Sequence, residues 1–461
     1  MTYAYNQVEK YYVSAEAIAP LHIGSAVGDR SEVLMHPVKG EPFIQASSIS
    51  GVLRSVCAAL AGNECAEKLF GTSQGTEEAR EAGSKVRISD GAFRQETVQM
   101  EFRPRVRIDA ASGTVSNATL GGSGRTSGQK FEMELIGTGA CFDFTVYLRH
   151  CKDDGFDTVL ESVLAVLASG NIQIGGQRSN GCGFLKLVNL YRQTFSLTSE
   201  EGRKAWKREE EDDISTLKTM DGIRNLTEEW KKDAADHVSS VNAYEIYVTG
   251  RTEGSILVKG ASVDGVGEGA PDAENMRNAG EHFIVPGSSL KGALKARIKK
   301  ISSLLGKKSF IDECFGSTGK GDAMGSRGNI LVWDTVIGER DQDVQDCLQH
   351  RIHIDKFTGG VFQRGLFSEK TVSGSLGMRV DISDRQNPDA AAGLCVLAFR
   401  DLASGLWNLG SGYSVGRGFI RVEKMVVSSL KDGKELIVDF TNKEVRDQDS
   451  LYAQLMTALE K

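Results

Sequence analysis

Two stretches decide the reading: Gln173-Ile-Gly-Gly-Gln-Arg-Ser-Asn-Gly-Cys-Gly-Phe-Leu-Lys-Leu187 and Asn408-Leu-Gly-Ser-Gly-Tyr-Ser-Val-Gly-Arg-Gly-Phe-Ile-Arg-Val422. Laid over each other, Gly175 meets Gly410, Gly181 meets Gly416, Gly183 meets Gly418 and Phe184 meets Phe419. Each is a glycine-rich loop running into an alternating apolar/basic strand. Glycine permits positive φ and lets another backbone come close. One such loop is a tight turn; two at corresponding places in two halves of a chain indicate an internal duplication.

Working outward, further landmarks recur in the same order. Pro42-Phe-Ile-Gln-Ala-Ser-Ser-Ile-Ser-Gly51 matches Phe283-Ile-Val-Pro-Gly-Ser-Ser-Leu-Lys-Gly292, and Arg105-Val-Arg-Ile-Asp109 matches Arg351-Ile-His-Ile-Asp355. Leu21-His-Ile-Gly24 echoes Leu257-Val-Lys-Gly260. Ser47-Ser48 reads as an N-cap for a helix over 49–61 with Val52, Leu53, Val56 and Leu60 on one face. Residues 63–100 read as a glycine- and charge-rich insertion. Strands are expected over 11–18, 105–109, 131–136, 141–148 and 244–250, and an amphipathic helix over 156–168. The repeating unit is strand, loop, helix, strands, helix, strand. The expected fold is therefore α+β: two tandem ferredoxin-like domains, over 1–198 and 240–430. Residues 199–239, with the acidic run Glu209-Glu-Glu-Asp-Asp213, read as a charged helical connector, and 431–461 as a C-terminal extension.

The chain has 461 residues, enough for two or three domains, with 25 % charged and 40 % hydrophobic residues. No apolar run approaches a span of about 20 residues, and the first residues do not form a signal peptide. Eight scattered cysteines without a C-x-x-C pair fit reduced thiols in a cytoplasm, and no metal site is expected from them. A net charge of −7 argues against indiscriminate nucleic-acid binding and leaves room for a local basic path.

The set Pro286-Gly-Ser-Ser-Leu-Lys-Gly292, Ile352-His-Ile-Asp-Lys-Phe-Thr-Gly359 with Leu366-Phe367 and Glu369, and the loop at 410–418 resembles the RAMP superfamily. More narrowly it resembles the backbone subunits of type III CRISPR effector complexes, in a type III-D-like fusion of two RRM-like RAMP domains. The first repeat departs from the pattern at Ala46 and Ser50, the second at Val258. The resemblance implies that each repeat cradles guide RNA. A hairpin thumb then wedges into the guide–target duplex, and an Asp in the loop after the first strand cleaves target RNA at the kink. It implies partners: a guide RNA, a target RNA and other effector subunits, with no membrane. It also implies Mg²⁺, loosely bound, for cleavage.

The residues make their own case beside this. A-form duplexes are bound through phosphates and 2′-hydroxyls, and guide-paired systems leave sequence reading to base pairing. Helix starts at Ser48 and Ser289, the loop glycines Gly181 and Gly416, and the cations Arg54, Arg178, Lys291, Lys295 and Arg417 are the candidate RNA contacts. Tyr413 is placed to stack on a base. Asp29 and Asp272 are the candidate catalytic acids, with Glu32 and Asp264 as rivals in the same loops. Asp109 and Asp355 each precede a turn, where Asp bonds its own backbone. Two other readings compete: a scaffold of the same fold without cleavage, and a nucleotide enzyme built on the glycine loops. The last fails, because neither loop has the strand-then-helix setting of a dinucleotide fingerprint and no P-loop is present.

Overall fold

The alternating strand Gln7–Ala17 (β1) lies at the centre of one sheet, and its counterpart Asn242–Glu253 (β5) lies at the centre of another. The computed structural model describes residues 5–24, 32–72, 83–106, 108, 117–119, 126–128, 130–170, 172–207, 223–227, 242–260, 270–317, 325–339 and 342–460. Its contacts divide the chain into two units. Unit 1 is Met1–Met100, Leu135–Arg178 and Cys182–Val241; unit 2 is Glu101–Glu134, Ser179–Gly181 and Asn242–Lys461. By its contacts, segment Glu101–Glu134, from the first half of the chain, groups with unit 2 and not with the rest of 1–198.

In unit 1, β1 is followed by Ala46–Ala61 (α1), Val86–Ile88 (β2), Cys141–His150 (β3), Phe156–Ala165 (α2) and Phe184–Ser196 (β4). The strand order is β2-β3-β1-β4, all antiparallel. In unit 2, β5 is followed by Gly287–Leu304 (α3), Ile330–Val332 (β6), a hairpin of Gln345–Ile354 (β7) and Val361–Ser373 (β8), Ser375–Ser383 (β9), Pro388–Ala403 (α4) and Phe419–Ser429 (β10). The order β6-β9-β5-β10 repeats that of unit 1. Both are the ferredoxin-like arrangement, each with its own core. Ile49, Leu53, Val56 and Cys57 of α1 pack with β1 and β3 in unit 1; Leu290, Leu294 and Ile298 of α3 pack with α4 and the sheet in unit 2.

Several expectations need correction. The second strand of unit 1, Val86–Ile88, lies inside the stretch read as an insertion; three residues are too few for a period of two to show. The connector is not wholly helical. Its helix Glu200–Lys207 sets Trp206 against Phe195 (ring centroids 5.3 Å), and Ile223–Asn225 pairs antiparallel with β4, burying Leu226. Residues 208–222 and 228–241 lie outside the described residues. The extension adds strands Glu435–Asp439 (β11) and Glu444–Asp447 (β12) to the sheet of unit 2. Its helix Leu451–Glu460 (α5) buries Leu451, Leu455 and Leu459 in that core.

The glycine loops are held in the same way in both units. Gly176 N–H donates to the His22 carbonyl (2.7 Å) and Gly183 N–H to that of Pro20; Ser411 N–H donates to the Leu257 carbonyl (2.8 Å) and Gly418 N–H to that of Ser255. Gly418 has φ +78°, and a Cβ there would stand 1.9 Å from the Leu409 carbonyl oxygen, so no other residue fits. These bonds set His22 opposite Leu257, and bridges Gly24↔Val33 and Lys259↔Asn275 set Gly24 opposite Lys259. The echo of Leu21 with Leu257 is thus one residue out of register. The visible Leu-x-x-Gly spacing repeats, but the position is fixed by the carbonyl that receives the loop amide.

Candidate nucleic-acid interface

In unit 1 the glycine loop, the start of α1 and the segment after β1 enclose a cleft of about 450 Å³, lined among others by Gly24, Ser47, Ser48, Gly51, Gly176 and Arg178. Three landmarks far apart in sequence meet there. Arg178 lies in the short helical turn Arg178–Asn180 and its Nε donates to the Gly175 carbonyl at 2.9 Å. It is half-buried, and among the described residues no carboxylate pairs with it; burial lowers its pKa. A partly desolvated guanidinium without a counter-charge favours an anion arriving beside it. Gly51, on the rim, has open space where a Cβ would stand, so packing does not require glycine there, while a ligand's close approach would.

The helix starts differ from expectation. α1 begins at Ala46 with Gln45 in the cap position, and α3 at Gly287 with Pro286 there, neither with a side-chain cap. Ser48 and Ser289 therefore lie within the first turn. The first amides are taken by two aspartates that sequence reading missed: Asp90 Oδ1 accepts from Ala46 N–H and Asp334 Oδ1 from Gly287 N–H, each at 2.7 Å. A carboxylate satisfies an orphan donor and suits the positive end of the helix dipole. Each Asp directly precedes the short strand that pairs with the strand leading into its helix, which is the signal that sequence reading had available.

In unit 2, Lys291 lies on the first turns of α3. Burial, with the positive charges of Lys295 and Arg327, pushes its pKa down to about 8. Lys291 and Lys295 stand one turn apart on α3, and Arg327 is near enough to act on Lys291, a local gathering of cations in a chain of net charge −7. Lys295 lies 5.4 Å from the centroid of the Phe315 ring. Arg54, its counterpart on α1, is half-buried and is not brought to the cleft. Gly416 has φ +80° and open space around it, whereas Gly181 is held by packing, a Cβ there falling 2.4 Å from the Val332 carbonyl oxygen.

Arg417 is turned inward, against expectation. Its side chain is 6 % exposed and bonds Glu369 at 2.7 Å, with Gln349 as a second partner. Glu369 also binds Arg351 (3.2 Å) and Lys259 (3.5 Å). Burial opposes charge on Glu369, but its bonds to Arg417 and Arg351 hold its carboxyl below the usual range. This network ties the glycine loop to the β7–β8 hairpin and removes Arg417 from the exposed cations. In the aligned loops Arg417 faces Cys182 and Tyr413 faces Arg178. Tyr413 is 62 % exposed, with its ring 5.6 Å from that of Phe419.

Of the candidate acids, Asp29 and Asp264 lie outside the described residues, as does Asp109. Asp272 is exposed at the base of the hairpin: its Oδ2 accepts from Ser368 N–H at 2.6 Å and from Ser368 Oγ at 3.3 Å. Glu32 is exposed. Asp355 accepts from Phe357 N–H and Thr358 Oγ1, as a turn aspartate does. The hairpin exposes Ile352, Ile354, Phe357 (89 %), Phe362 and Leu366. Among the described residues no three His, Cys, Asp or Glu side chains gather as a metal site, and no helix is long and apolar enough to cross a membrane.

A family model of the RAMP superfamily matches residues 14–186 and again 249–421. The chain belongs to the RAMP superfamily. Its two RAMP repeats coincide with the two ferredoxin-like sheets, and each match ends in the strand behind a glycine loop. Among solved structures the chain is similar to one described as "Cryo-EM structure of the Type III-B Cmr-beta bound to cognate target RNA", at 17 % identity and a TM-score of 0.32, covering 41 % of this chain and 62 % of that one. No curated protein matches it.

Proposed function

We propose that the chain is a backbone subunit of an RNA-guided type III CRISPR effector, working in the cytoplasm with other subunits. It binds guide RNA and cleaves complementary target RNA at regularly spaced kinks, one site per RAMP repeat. The observation that carries this reading is the cleft of unit 1, where the glycine loop, the helix start and Arg178, which pairs with no carboxylate among the described residues, converge. Phosphate is held there by Arg178 and the first turn of α1, and in unit 2 by Ser289, Lys291 and Lys295. The exposed apolar hairpin of unit 2 supplies a wedge that unstacks a nucleotide.

Cleavage needs little covalent work from the protein. A nucleotide held out of helical geometry presents its 2′-hydroxyl in line with the adjacent phosphorus; the new O–P bond forms as the bond to the 5′-oxygen breaks, leaving a 2′,3′-cyclic phosphate and a 5′-hydroxyl. One acid accepts the 2′-hydroxyl proton while water gives one to the departing 5′-oxygen, or a carboxylate there would hold a hydrated Mg²⁺ that would supply charge stabilisation. Asp272 fits the second role, since Ser368 fixes Oδ2 and no group among the described residues bonds Oδ1; a lone carboxylate suits an ion that keeps most of its waters. Asp272→Ala is expected to remove one product of a guide-matched RNA with binding intact, and Asp29→Ala a product from the neighbouring kink. A non-catalytic scaffold is the second reading, favoured by the Ser368 bonds, which give Asp272 a structural task. A double variant that cuts with the wild-type pattern, in a complex where this chain forms those kinks, makes the chain that scaffold.

A further inference from the structure

In unit 2 the aspartate at the start of α3 is not alone. Arg103, on the strand Met100–Val106, forms a two-pronged pair with it: Nη1 to Asp334 Oδ1 at 3.1 Å and Nη2 to Oδ2 at 2.6 Å. The Arg103 side chain is 2 % exposed, and its Nε donates to Glu101 Oε1, while Glu101 Oε2 accepts from Ala279 N–H. An incoming strand thus plugs an arginine into a socket made by Asp334, Gly287 N–H and the turn at Ala279.

The same socket exists in unit 1. Asp90 stands where Asp334 stands, since Gly91 pairs with Ile44 as Thr335 pairs with Val285. His36 N–H donates to the Glu41 carbonyl as Asn278 N–H donates to that of His282, which places Pro37 where Ala279 is. Here the socket is an open cleft of about 350 Å³ lined by His36, Pro37, Phe43, Ala46, Ser47 and Asp90. Asp90 is exposed, and among the described residues no cation pairs with it. We propose that this cleft is a docking site for an arginine-bearing edge strand of a separate RAMP-type subunit, seated as Arg103 is seated in unit 2. The proposal rests on the repeat geometry and on the place of Arg103 within the first RAMP match, residues 14–186, not on RNA binding.

The chemistry of the two sockets narrows the occupant. Pro37 has no N–H, so the glutamate that accompanies Arg103 has no counterpart donor in unit 1; an arginine is required and an acidic neighbour is not. A second copy of this chain fits poorly. Aligning Arg105 with Arg351 puts Gln349 opposite Arg103 on the strand β7, and Gln349 already bonds Arg417. A bidentate arginine–carboxylate pair in a closing cleft gives orientation as well as affinity.

The test uses the complex purified from the native host with the full chain, analysed by native mass spectrometry. Asp90→Asn keeps an oxygen for the Ala46 amide and removes the charge; melting of the isolated variant checks its fold. The proposal expects one RAMP-type subunit to be retained about thirtyfold less tightly in Asp90→Asn and lost in Asp90→Arg. A photo-cross-linking residue in place of Pro37 in the wild-type background is expected to link to an arginine-containing strand of that same subunit. Exchanging that arginine for aspartate is expected to restore assembly with Asp90→Arg. Full subunit content in both variants overturns the proposal. So does a cross-link to RNA, to a second copy of this chain, or to a strand without arginine. A complex that assembles through this cleft but carries no guide refutes the proposed function and leaves the docking site standing.

Discussion

Replacing Glu369 by alanine is expected to destabilise unit 2 by about 3–5 kcal/mol, the cost of leaving a buried charge uncompensated. Arg417 and Glu369 are 6 % and 8 % exposed and meet at 2.7 Å, so Glu369→Ala strands the Arg417 guanidinium in the protein with Gln349 as its remaining side-chain partner. Arg351 and Lys259 lose the same carboxylate, which loosens the base of the hairpin as well as the glycine loop. The check is chemical denaturation of the purified chain. Glu369→Leu combined with Arg417→Met is expected to recover most of the loss, because an apolar pair of similar volume removes both charges together. The sign with pH follows from the depressed carboxyl: the stabilisation is present above the ordinary glutamate range and fades as pH falls through the lower folded pKa.

Charge reversal at Arg178 with Lys291 is expected to lower affinity for guide RNA about a hundredfold at moderate salt and to flatten the salt dependence by about two phosphate contacts. Arg417 is left unchanged, because its inward turn makes its substitution a stability change. The wild-type affinity is also expected to carry a pH signature. Free Lys291 has a pKa of about 8, because burial and the charges of Lys295 and Arg327 penalise its ammonium form. A bound phosphate restores that form and raises the pKa. Binding therefore takes up a proton above pH 8: affinity is level below that value and falls with rising pH by up to about tenfold per unit. Lys291→Met removes this slope. Filter binding across pH 6.5–9.5, a window of about three units around that pKa, reads it directly.

The glycine loops and the order of landmarks were legible because their cause is local. Positive φ at Gly410, Gly416 and Gly418 demands glycine whatever the distant partner is. The same holds for the Ser-Ser helix starts, although the helix begins two residues earlier, where an aspartate from 44 or 47 residues away takes the first amide. What escaped was set by distant partners. Arg417 has the appearance of an RNA-facing cation in its loop, and Glu369 and Gln349, 48 and 68 residues earlier, turn it inward. Val86–Ile88 and Ile330–Val332 are three-residue strands, too short for alternation, and are fixed by pairing to β3 and β9. Segment Glu101–Glu134 reads as part of the first repeat, yet groups with unit 2, where the two-pronged Arg103–Asp334 pair is buried; no local pattern announces such a partner.

The most direct measurement is to purify the chain under native conditions from its host and sequence the RNA that stays bound. The account predicts a population of small RNAs of defined length carrying CRISPR spacer sequences, retained by the wild-type chain and lost on reversal of Arg178 and Lys291. Recovery of no RNA, or of RNA without spacer sequences at the same level in wild type and variant, contradicts it.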